Sequence, residues 1–498
     1  MNRLGFWHKV AIAALAGICL AMVFPPVNFP WVLAILVFIL WLELIRSTNN
    51  LKQAAGIGLF FGLGFFLPLL NWIKIVGQDA WFALAILCTF WWIVASIGSR
   101  IVLELRWWPL LIPAIWTTAE LLRDRFPFGG FGWGQIGVIT PNTPFRSLAP
   151  IVGQLGMTVF FVGAACAISW LITHRVPVQT KSLYAVGALA ATSVLSFTPL
   201  ISQVTNPVVG NQTVTLGMVQ GGVDHYGLGV VGDPRKVLMR HAAVSESNAV
   251  QLREANLIVW PENSADVDPT LDQQSAEILD EIQTSLDVPI LLGAIRNTDQ
   301  NTRMNIALLW QNGQWDQVYQ KRRLVPFGEF LPGRDFISQH TDRVNLMPRD
   351  FEPGLTPGSL TINGVNLGVL ICFEGADDWQ GLEASQTNSV ILIQTNNATF
   401  QNLGQSEQQL QSAQMRAIET QRPVVVISTS GISAIVDAKG VIVDQLTQAE
   451  VGVMIRTFPN VTGVSPAVTA HHLIIAIVAS LSVFGIIAGL YTRRKVTL

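Results

Sequence analysis

Long apolar runs fill the first part of the chain and return once near its end. They are roughly as long as the ~20-residue helix that crosses the hydrocarbon core of a bilayer, although the second and fifth are shorter, which leaves their boundaries open. The runs are Val10–Phe24, Pro30–Ile45, Ala54–Ile75, Trp81–Val102, Trp107–Leu122, Gly153–Ile172, Ser182–Leu200 and His471–Tyr491. Pro25-Pro26 follows the first run in place of a small-residue cleavage site, which favours a helix over a signal peptide. The pattern predicts an α-helical polytopic membrane domain with eight transmembrane helices.

Between the seventh and eighth runs the pattern changes to short β-type stretches that alternate with amphipathic ones. The predicted strands are Val214–Gln220, Leu257–Trp260, Pro289–Ala294, Ile306–Trp310, Val369–Ile371, Val390–Gln394 and Val424–Ser428. The predicted helices are Arg235–Asn256, Thr270–Leu286 and Ser406–Thr420. Such mixing indicates an α/β or sandwich-type domain. We therefore predict a membrane domain with seven helices at residues 1–204, a second domain at 205–462, and a tether with the last helix at 463–498.

The composition agrees with a membrane protein. Half of the 498 residues are hydrophobic and only 13% are charged, whereas average chains contain roughly 25% charged residues. The mean hydropathy is +0.43. A formal net charge of −2 gives no reason to expect a nucleic-acid partner.

The distribution of basic residues predicts the orientation in the membrane. Eight of those around the first seven runs lie in the N-terminal tail or in every second connection, including its edges: Arg3, Lys9, Arg46, Lys52, Arg100, Arg106, Arg175 and Lys181. The alternate connections hold fewer, among them Lys74, Arg123 and Arg125. Because basic residues mark the cytoplasmic side, the N-terminus is predicted to be cytoplasmic. Seven crossings then bring residues 205 onward to the extracytoplasmic side, and the eighth returns the chain to Arg493, Arg494 and Lys495. The sequence thus predicts a multi-pass protein of the cytoplasmic (inner) membrane, with both termini cytoplasmic.

The four cysteines give no disulfide framework. Cys19, Cys88 and Cys166 lie inside apolar runs, whereas Cys372 directly follows the strand-like run Val369–Ile371 and lies beside a carboxylate. A cysteine at the point where a buried strand breaks into a turn suits nucleophilic catalysis. A free buried cysteine also serves as a small apolar core residue. The cysteine alone leaves both readings open.

Two further strings supply the groups that a nucleophilic thiol needs. Glu262 follows a predicted strand, and Lys321 and Glu329 lie within one short segment. A carboxylate can take the thiol proton as a general base. An ammonium group can stabilise an oxyanion, and a nearby cation lowers the pKa of a thiol. Taken alone, Glu262 also fits a helix N-terminus, and Lys321 fits a solvated basic run.

The order Glu, Lys, Cys resembles that of the nitrilase superfamily of carbon–nitrogen hydrolases. The fuller strings are more specifically similar to the apolipoprotein N-acyltransferase family; they are Trp260–Ser264, Lys321–Pro332 and Ile371–Glu374. The resemblance implies a nitrilase-like α-β-β-α sandwich for the second domain. It also implies that Glu262 is the general base, Lys321 the oxyanion-stabilising cation and Cys372 the nucleophile.

The resemblance further implies two supporting carboxylates. Glu329 and Glu374 would each hold Lys321 in place or assist proton transfer. Phe373 stands where many members of the family carry Tyr, so a hydroxyl role is absent there. The segment Asn396–Thr399 stands where many members carry Asn-Asp-Ala-Trp, which leaves the details of the pocket and the acyl or partner preference open.

Substrate-binding residues are predicted from the same segments. Asn305 and Asn396 would line the pocket, with use in surface turns as the alternative, and Phe373 follows the nucleophile directly. Trp133 belongs to Arg123–Gly134, a loop rich in glycine and aromatic residues. That loop either lines a lipid entrance or is a plain re-entrant loop at the membrane interface.

The resemblance implies an acyltransferase. An acyl chain would pass from a membrane phospholipid, through a thioester on Cys372, to the α-amino group of the lipid-modified N-terminal cysteine of an apolipoprotein. The expected partners are the phospholipid donor, the diacylglyceryl apolipoprotein acceptor and the membrane, with no nucleic acid, and the protein is expected to be a monomer. We expect no metal or other cofactor, because no Cys/His cluster has metal-ligand spacing.

Two other functions remain open from the sequence. A membrane-tethered amidase or nitrilase that hydrolyses a small amide would use the same three residues, but one anchoring helix would suffice for it. A transporter with an extracytoplasmic binding domain is disfavoured, because the apolar runs hold few ionisable residues.

Overall fold

The computed structural model describes residues 4–173, 207–223, 233–339, 348–400 and 403–497. The chain divides into two compact units, Met1–Thr205 with Thr469–Leu498, and Asn206–Val468. The described part of the first unit is helical. Its helices are α1 (Phe6–Ala21), α2 (Val32–Arg46), α3 (Leu51–Leu69), α4 (Gln78–Val102), α5 (Trp108–Arg125), α6 (Ala149–Thr173) and most of the last helix, α13 (Pro466–Thr497).

Four of the described helices are long and apolar enough to cross a membrane. They are α3, α4, α6 with the turn before it (Arg146–Thr173), and α13 over Pro466–Lys495. Helices α1 and α2 have 16 and 15 residues, which is below the ~20 that a crossing needs. The last two turns of α5 contain charged residues, namely Glu120, Arg123, Asp124 and Arg125. The predicted crossing Ser182–Leu200 lies outside the described residues.

Two of the predicted runs differ from the helices that form. The run Ala54–Ile75 is α-helical only to Leu69 and continues as a 3₁₀ turn from Asn71. Pro68 lies in the last turn of α3, where its missing N–H and its ring disfavour further helix. Helix α6 is kinked at Gly153, which has φ 65° and ψ −177°.

Small residues bring α1 and α3 together. A Cβ atom at Gly17 of α1 would lie 2.1 Å from the carbonyl oxygen of Phe61, and one at Gly64 of α3 would lie 2.2 Å from that of Ala14. Glycine at these positions therefore lets the two backbones touch, as in other closely packed membrane helices.

The second unit contains two six-stranded sheets. In spatial order the first consists of β12 (Gly452–Thr462), β1 (Val208–Gln220), β2 (Leu257–Val259), β3 (Ile290–Asn297), β4 (Arg303–Gln311) and β5 (Gln314–Gln320). The second consists of β11 (Ile442–Leu446), β10 (Ser433–Val436), β9 (Val424–Ser428), β8 (Val390–Thr395), β7 (Val365–Ile371) and β6 (Gly358–Ile362). Strands β1, β2 and β3 run parallel, as do β7, β8 and β9. The C-terminal ends of each trio therefore lie along one edge of its sheet.

Three apolar cores stabilise the second unit. The described helices of this unit are α7 (Lys236–Ser247), α8 (Ala249–Leu252), α9 (Gln273–Leu286), α10 (Arg334–Ser338), α11 (Asp378–Ser385) and α12 (Gln405–Thr420). One core joins the two sheets through alternate residues such as Leu216 and Leu367. A second joins the first sheet to α7, α8 and α9, and a third joins the second sheet to α11 and α12.

Each predicted strand is present, with its ends shifted by a few residues. Strands β5, β6, β10, β11 and β12 were not predicted. The first four residues of β5 are polar or exposed, so this edge strand lacks the apolar alternation that marks a strand. The predicted helix Arg235–Asn256 is split at Asn248, whose side chain donates a hydrogen bond back to the carbonyl oxygen of Val244 at 2.8 Å.

Candidate active site

Cys372 lies directly after β7, where the strand turns into a 3₁₀ segment. Its φ is +52°, a left-handed conformation that costs a non-glycine residue about 1 kcal/mol or more. Two hydrogen bonds hold the backbone on either side. Glu374 Oε2 accepts from the N–H of Ile371 at 2.8 Å, and Gln409 Nε2 donates to the carbonyl oxygen of Cys372 at 3.0 Å. The thiol therefore lies on a fixed turn at a strand end, the position that suits a nucleophile.

Glu262 follows β2 after a Trp-Pro pair and is 5% exposed. Its Oε1 accepts a hydrogen bond from Asn305 Nδ2 at 2.7 Å, and its Oε2 accepts one from the N–H of Asn396 at 2.8 Å. Its backbone carbonyl accepts one from Thr429 Oγ1 at 2.9 Å. Asn396 and Thr429 directly follow β8 and β9. The second sheet thus holds an acid that the first sheet supplies.

Lys321 directly follows β5, and its side chain is 1% exposed. Its Nζ lies 2.7 Å from Glu329 Oε1 and 3.9 Å from Glu262 Oε1. Asn305 Nδ2 also lies 3.3 Å from that Glu329 oxygen, so one amide group contacts both acids. Glu329 Oε2 accepts from the N–H of Val325 at 2.8 Å, which holds the loop between the lysine and the glutamate.

Burial and charge set the protonation of the three groups. Burial raises the pKa of Glu262, against the effect of the Lys321 charge. Burial lowers the pKa of Lys321, but the charges of Glu329 and Glu262 outweigh it, so the pKa is raised and the ammonium persists. Burial and the charge of Glu262 raise the pKa of Cys372 to about 12, because together they outweigh Lys321.

Lys321 lowers the pKa of the Cys372 thiol, as expected of a nearby cation, but burial and the charge of Glu262 outweigh this effect. Lys321 faces two carboxylates, and one positive charge does not compensate both of them together with a thiolate. The thiol is protonated at rest. The raised pKa of Glu262 makes it a stronger base than an exposed glutamate.

Glu374 is fully buried and accepts hydrogen bonds on both oxygens. Its Oε1 accepts from the Tyr319 hydroxyl and from the N–H groups of Arg322 and Arg323, at 2.8, 2.8 and 2.9 Å. Burial raises the pKa of Glu374, and these donors act in the opposite direction. Because Arg322 and Arg323 directly follow Lys321, Glu374 links the turn that carries the nucleophile to the segment that carries the cation.

The remaining predicted residues of the second unit contact two different groups, Glu262 and Arg323. Asn305 and Asn396 both contact Glu262, so the structure brings them to the acid. Phe373 is 6% exposed, and the centre of its ring lies 5.5 Å from the guanidinium carbon of Arg323. Phe373 therefore packs against the basic segment that Glu374 holds.

Trp133 lies in the first unit and is 6% exposed. Its ring centroid is 5.2 Å from that of Trp72, and its carbonyl oxygen accepts a hydrogen bond from Arg123 Nη1 at 2.6 Å. The same nitrogen donates to the carbonyl oxygen of Phe131 at 2.7 Å. Arg123 thus fixes the backbone of the glycine-rich loop from within its own unit.

Two protein-family models match the chain. The model of the apolipoprotein N-acyltransferase N-terminal domain matches residues 16–167. The carbon–nitrogen hydrolase model matches residues 215–463, which is half of the 498 residues. This chain belongs to the carbon–nitrogen hydrolase family. The N-terminal match and the curated relatives place it, within that family, with the apolipoprotein N-acyltransferases, so the resemblance predicted from the three strings is confirmed.

Relatives of this carbon–nitrogen hydrolase span most of its length. An apolipoprotein N-acyltransferase of Mycolicibacterium smegmatis is 29% identical over 455 residues, covering 85% of this chain and 75% of that protein. One of Nitrosomonas europaea is 27% identical over 519 aligned residues, covering 99% of each. Among solved structures, a nitrilase-superfamily amidase of Nesterenkonia AN1 is 16% identical with a TM-score of 0.39, covering 53% of this chain and 95% of that one. Similarity at that level adds nothing to the family assignment.

Sequence analysis missed three residues of this carbon–nitrogen hydrolase that hold its site. Tyr319 donates to Glu374, Gln409 donates to Cys372, and the hydroxyl of Thr395 donates to Asn397. One signal was present, because α12 begins with a glutamine-rich run that an amphipathic surface helix does not require. Tyr319 and Thr395 carried no comparable signal, since each is an ordinary strand residue by type.

Proposed function

We propose that this protein is a phospholipid:apolipoprotein N-acyltransferase in which Glu262, Lys321 and Cys372 are the catalytic residues. The observation that carries the proposal is the buried cluster of Glu262, Lys321 and Glu329 around Cys372. It occurs in a chain whose first part matches the N-terminal domain of apolipoprotein N-acyltransferases. A hydrolase of small amides would account for the cluster and leave the N-terminal match unexplained.

In the first half-reaction, the sulfur of Cys372 attacks the ester carbonyl carbon of a membrane phospholipid while Glu262 takes the thiol proton. The carbonyl oxygen becomes an oxyanion, which the ammonium group of Lys321 stabilises. When the carbon–oxygen bond of the ester breaks, the departing alkoxide takes the proton from Glu262. A lysophospholipid leaves, and the acyl group remains on Cys372 as a thioester.

In the second half-reaction, the α-amino group of the lipid-modified N-terminal cysteine of an apolipoprotein attacks the thioester carbonyl carbon. Glu262 takes a proton from the attacking amine, and Lys321 again stabilises the oxyanion. The carbon–sulfur bond breaks, and the departing thiolate takes the proton from Glu262. The sequence of steps is a ping-pong acyl transfer that restores the free thiol.

Supporting roles follow from the contacts around these three groups. We propose that Glu329 anchors Lys321, that Glu374 positions the segment carrying it, and that Asn305 and Asn396 orient the base. We propose that Phe373 and Trp133 line the paths of the apolar substrates. Both are aromatic; Phe373 directly follows Cys372, and Trp133 lies in the glycine-rich and aromatic loop.

We also propose that the chain crosses the cytoplasmic membrane eight times as a monomer, with residues 205–462 as an extracytoplasmic α-β-β-α sandwich and both termini cytoplasmic. The four long apolar helices and the distribution of basic residues support this arrangement. Physical chemistry supports it as well. Both substrates carry acyl chains, and each buried CH₂ group is worth about 0.8 kcal/mol, so a site at the outer leaflet lets the chains stay in the bilayer.

The decisive experiment is peptide mass spectrometry of Cys372 after the purified full chain is mixed with phospholipid that carries labelled acyl chains. We expect the mass of one acyl group on Cys372 and its loss when the acceptor amine is added. Cys372→Ala should insert in membranes and form no acyl-enzyme, whereas Cys166→Ala serves as the matched control and should acylate normally. Acyl transfer at the wild-type rate in Cys372→Ala would refute the mechanism. Turnover of a small amide without any phospholipid-derived thioester would favour the amidase.

A further inference from the structure

A chain of buried amide groups runs from the second sheet to the backbone of Cys372, and the two half-reactions do not use it. Gln409 Nε2 donates to the Cys372 carbonyl oxygen at 3.0 Å, and Gln409 Oε1 accepts from Asn397 Nδ2 at 2.9 Å. Asn397 Oδ1 in turn accepts from Ser428 Oγ at 2.9 Å. The exposed fractions of Gln409, Asn397 and Ser428 are 2%, 1% and 0%.

These contacts fix the orientation of each amide. The carbonyl oxygen of Cys372 only accepts, so Gln409 must present its NH₂ group there and its oxygen to Asn397. Asn397 must then present its NH₂ group to Gln409 and its oxygen to Ser428. The hydroxyl of Ser428 accepts from the N–H of Gly431 at 2.8 Å, which directs its own proton to Asn397.

A neighbouring amide on α12 supports the same orientation. Gln405 Oε1 accepts a second hydrogen bond from Asn397 Nδ2, and Gln405 Nε2 lies 3.4 Å from Gln409 Oε1. Turning either Asn397 or Gln409 over would bring two donors or two acceptors together in a buried place, where an unmade hydrogen bond is most costly. The direction of the chain is therefore determined by its surroundings.

The chain also acts on the proton of Thr395. Its hydroxyl donates to Asn397 Oδ1 at 3.0 Å and lies 3.3 Å from Gln409 Oε1. Both amide oxygens already accept from another donor, Ser428 and Asn397 respectively. The single proton of Thr395 therefore gives the Asn397 oxygen a second hydrogen bond, which supports the orientation of that amide.

We propose that Gln409 is a positioning residue for Cys372, and that Asn397 keeps the Gln409 amide in the orientation this requires. Cys372 has a left-handed backbone, at φ +52°, and Gln409 holds the carbonyl side of that turn while Glu374 holds the N–H of the residue before it. The inference rests on the proposed function for the role of Cys372 as nucleophile. It concerns the reactivity of the thiol and not the identity of the acyl donor.

The test compares two glutamines of α12 that each donate to a backbone carbonyl. Gln409→Met removes the contact with Cys372, and the control Gln414→Met removes a contact of Gln414 Nε2 with the carbonyl oxygen of Gly440 at 2.8 Å. We would measure, on the full chain in detergent, single-turnover thioester formation and the alkylation rate of Cys372 by iodoacetamide across pH, with peptide mass spectrometry. We expect Gln409→Met to lower both rates about tenfold at neutral pH, the effect of one well-placed hydrogen bond, and Gln414→Met to change them less than about twofold.

A purely structural role predicts a different result. It would lower the Tm of both variants alike and leave the rates per folded molecule unchanged, and that outcome would overturn the proposal. If Gln409→Met does not fold, Asn397→Asp decides in its place, because aspartate has the same size and no N–H to donate to Gln409. Wild-type rates in Asn397→Asp would also overturn it. If the wild-type protein forms no thioester with phospholipid, the proposed function fails, while the alkylation ratio of the two methionine variants still tests the positioning role.

Discussion

Lys321 carries one positive charge between two carboxylates, and this imbalance sets the chemistry of the resting site. The ammonium lies closer to Glu329 than to Glu262, at 2.7 Å against 3.9 Å. Glu329 therefore anchors the cation, and Glu262 is left able to accept a proton. With the thiol neutral at rest, negative charge first develops on the substrate oxygen during attack, where Lys321 can meet it.

Glu329→Gln tests the anchoring role. Glutamine has no charge, and its single oxygen cannot accept both from Lys321 and from the N–H of Val325, so the ammonium moves toward Glu262 and makes it a weaker base. We expect thioester formation to fall roughly 10²-fold, comparable to the loss of one oxyanion donor, as measured in a single turnover.

Glu383→Gln is the matched control for Glu329→Gln. It removes the carboxylate that pairs with Arg322, the residue next to Lys321, at 2.6 Å. The rate should stay within about twofold of wild type, because the pair is part-exposed and lies outside the charge cluster. Equal losses in the two variants would show that Glu329 acts only through general electrostatics.

At the scale of the elements, two buried glutamates of the site join the two sheets. Glu262 follows β2 of the first sheet, and groups that follow β8 and β9 of the second sheet bind its side chain and its carbonyl. Glu374 follows β7 of the second sheet and binds the segment after β5 of the first. The geometry of the site therefore depends on the packing of the two sheets.

This arrangement explains which parts of the molecule the sequence could predict. The strands of the core were found because buried parallel strands are short apolar runs, whereas β5 has a polar sequence and an exposed surface. Glu262 and Cys372 were found because each follows such a run. Gln409 was not found, because its contact joins α12 to a strand end that is distant in sequence, and no local pattern encodes that pairing.

The packing of α7 on β2 should make stability depend on pH through His241. The ring is fully buried, its Nδ1 lies 2.8 Å from the carbonyl oxygen of Val237, and its centroid is 5.7 Å from that of Trp260. Burial lowers the pKa of His241 from 6.5 to about 4, with a smaller contribution of the same sign from the charge of Arg240. The pKa of His241 is thus lower in the folded protein than in the unfolded chain. The contribution of the neutral His241 ring to the free energy of unfolding is therefore fully present above about pH 6.5 and is lost as the pH falls to about 4 and below.

The measurement is the Tm of the full chain in detergent at pH 7.5, 5.5 and 4. The titration of His241 should lower the free energy of unfolding of the wild type by at most about 3 kcal/mol over that range, which lowers its Tm. The Tm of His241→Leu should fall less with pH, because leucine does not titrate. The difference in Tm between the two proteins at pH 7.5 measures how much the substitution itself changes stability. An identical decline of Tm with pH in both would assign the pH dependence to other groups.

At the scale of the whole molecule, the chain enters the second unit from the helical unit and returns to it. The second unit spans Asn206–Val468 and has its own cores between sheets and helices. The proposed reacting groups Glu262, Lys321 and Cys372 all come from it. The three proposed reacting side chains thus all belong to the second unit, and the proposed task of the first unit is to keep the protein where lipid-anchored substrates are.

The orientation in the membrane can therefore be tested at two separate positions, one in each unit. In a background with all four native cysteines replaced by serine, Leu355→Cys introduces a thiol at a residue that is 92% exposed in the second unit, and Arg494→Cys introduces one in the last turns of α13. The basic residues around the apolar runs predict that residue 355 is extracytoplasmic and residue 494 cytoplasmic. A membrane-impermeant maleimide should thus label the first variant in intact spheroplasts and the second only after lysis. Labelling of the second variant before lysis would mean that the C-terminus is outside, so that the last helix cannot return the chain and the count of crossings must change.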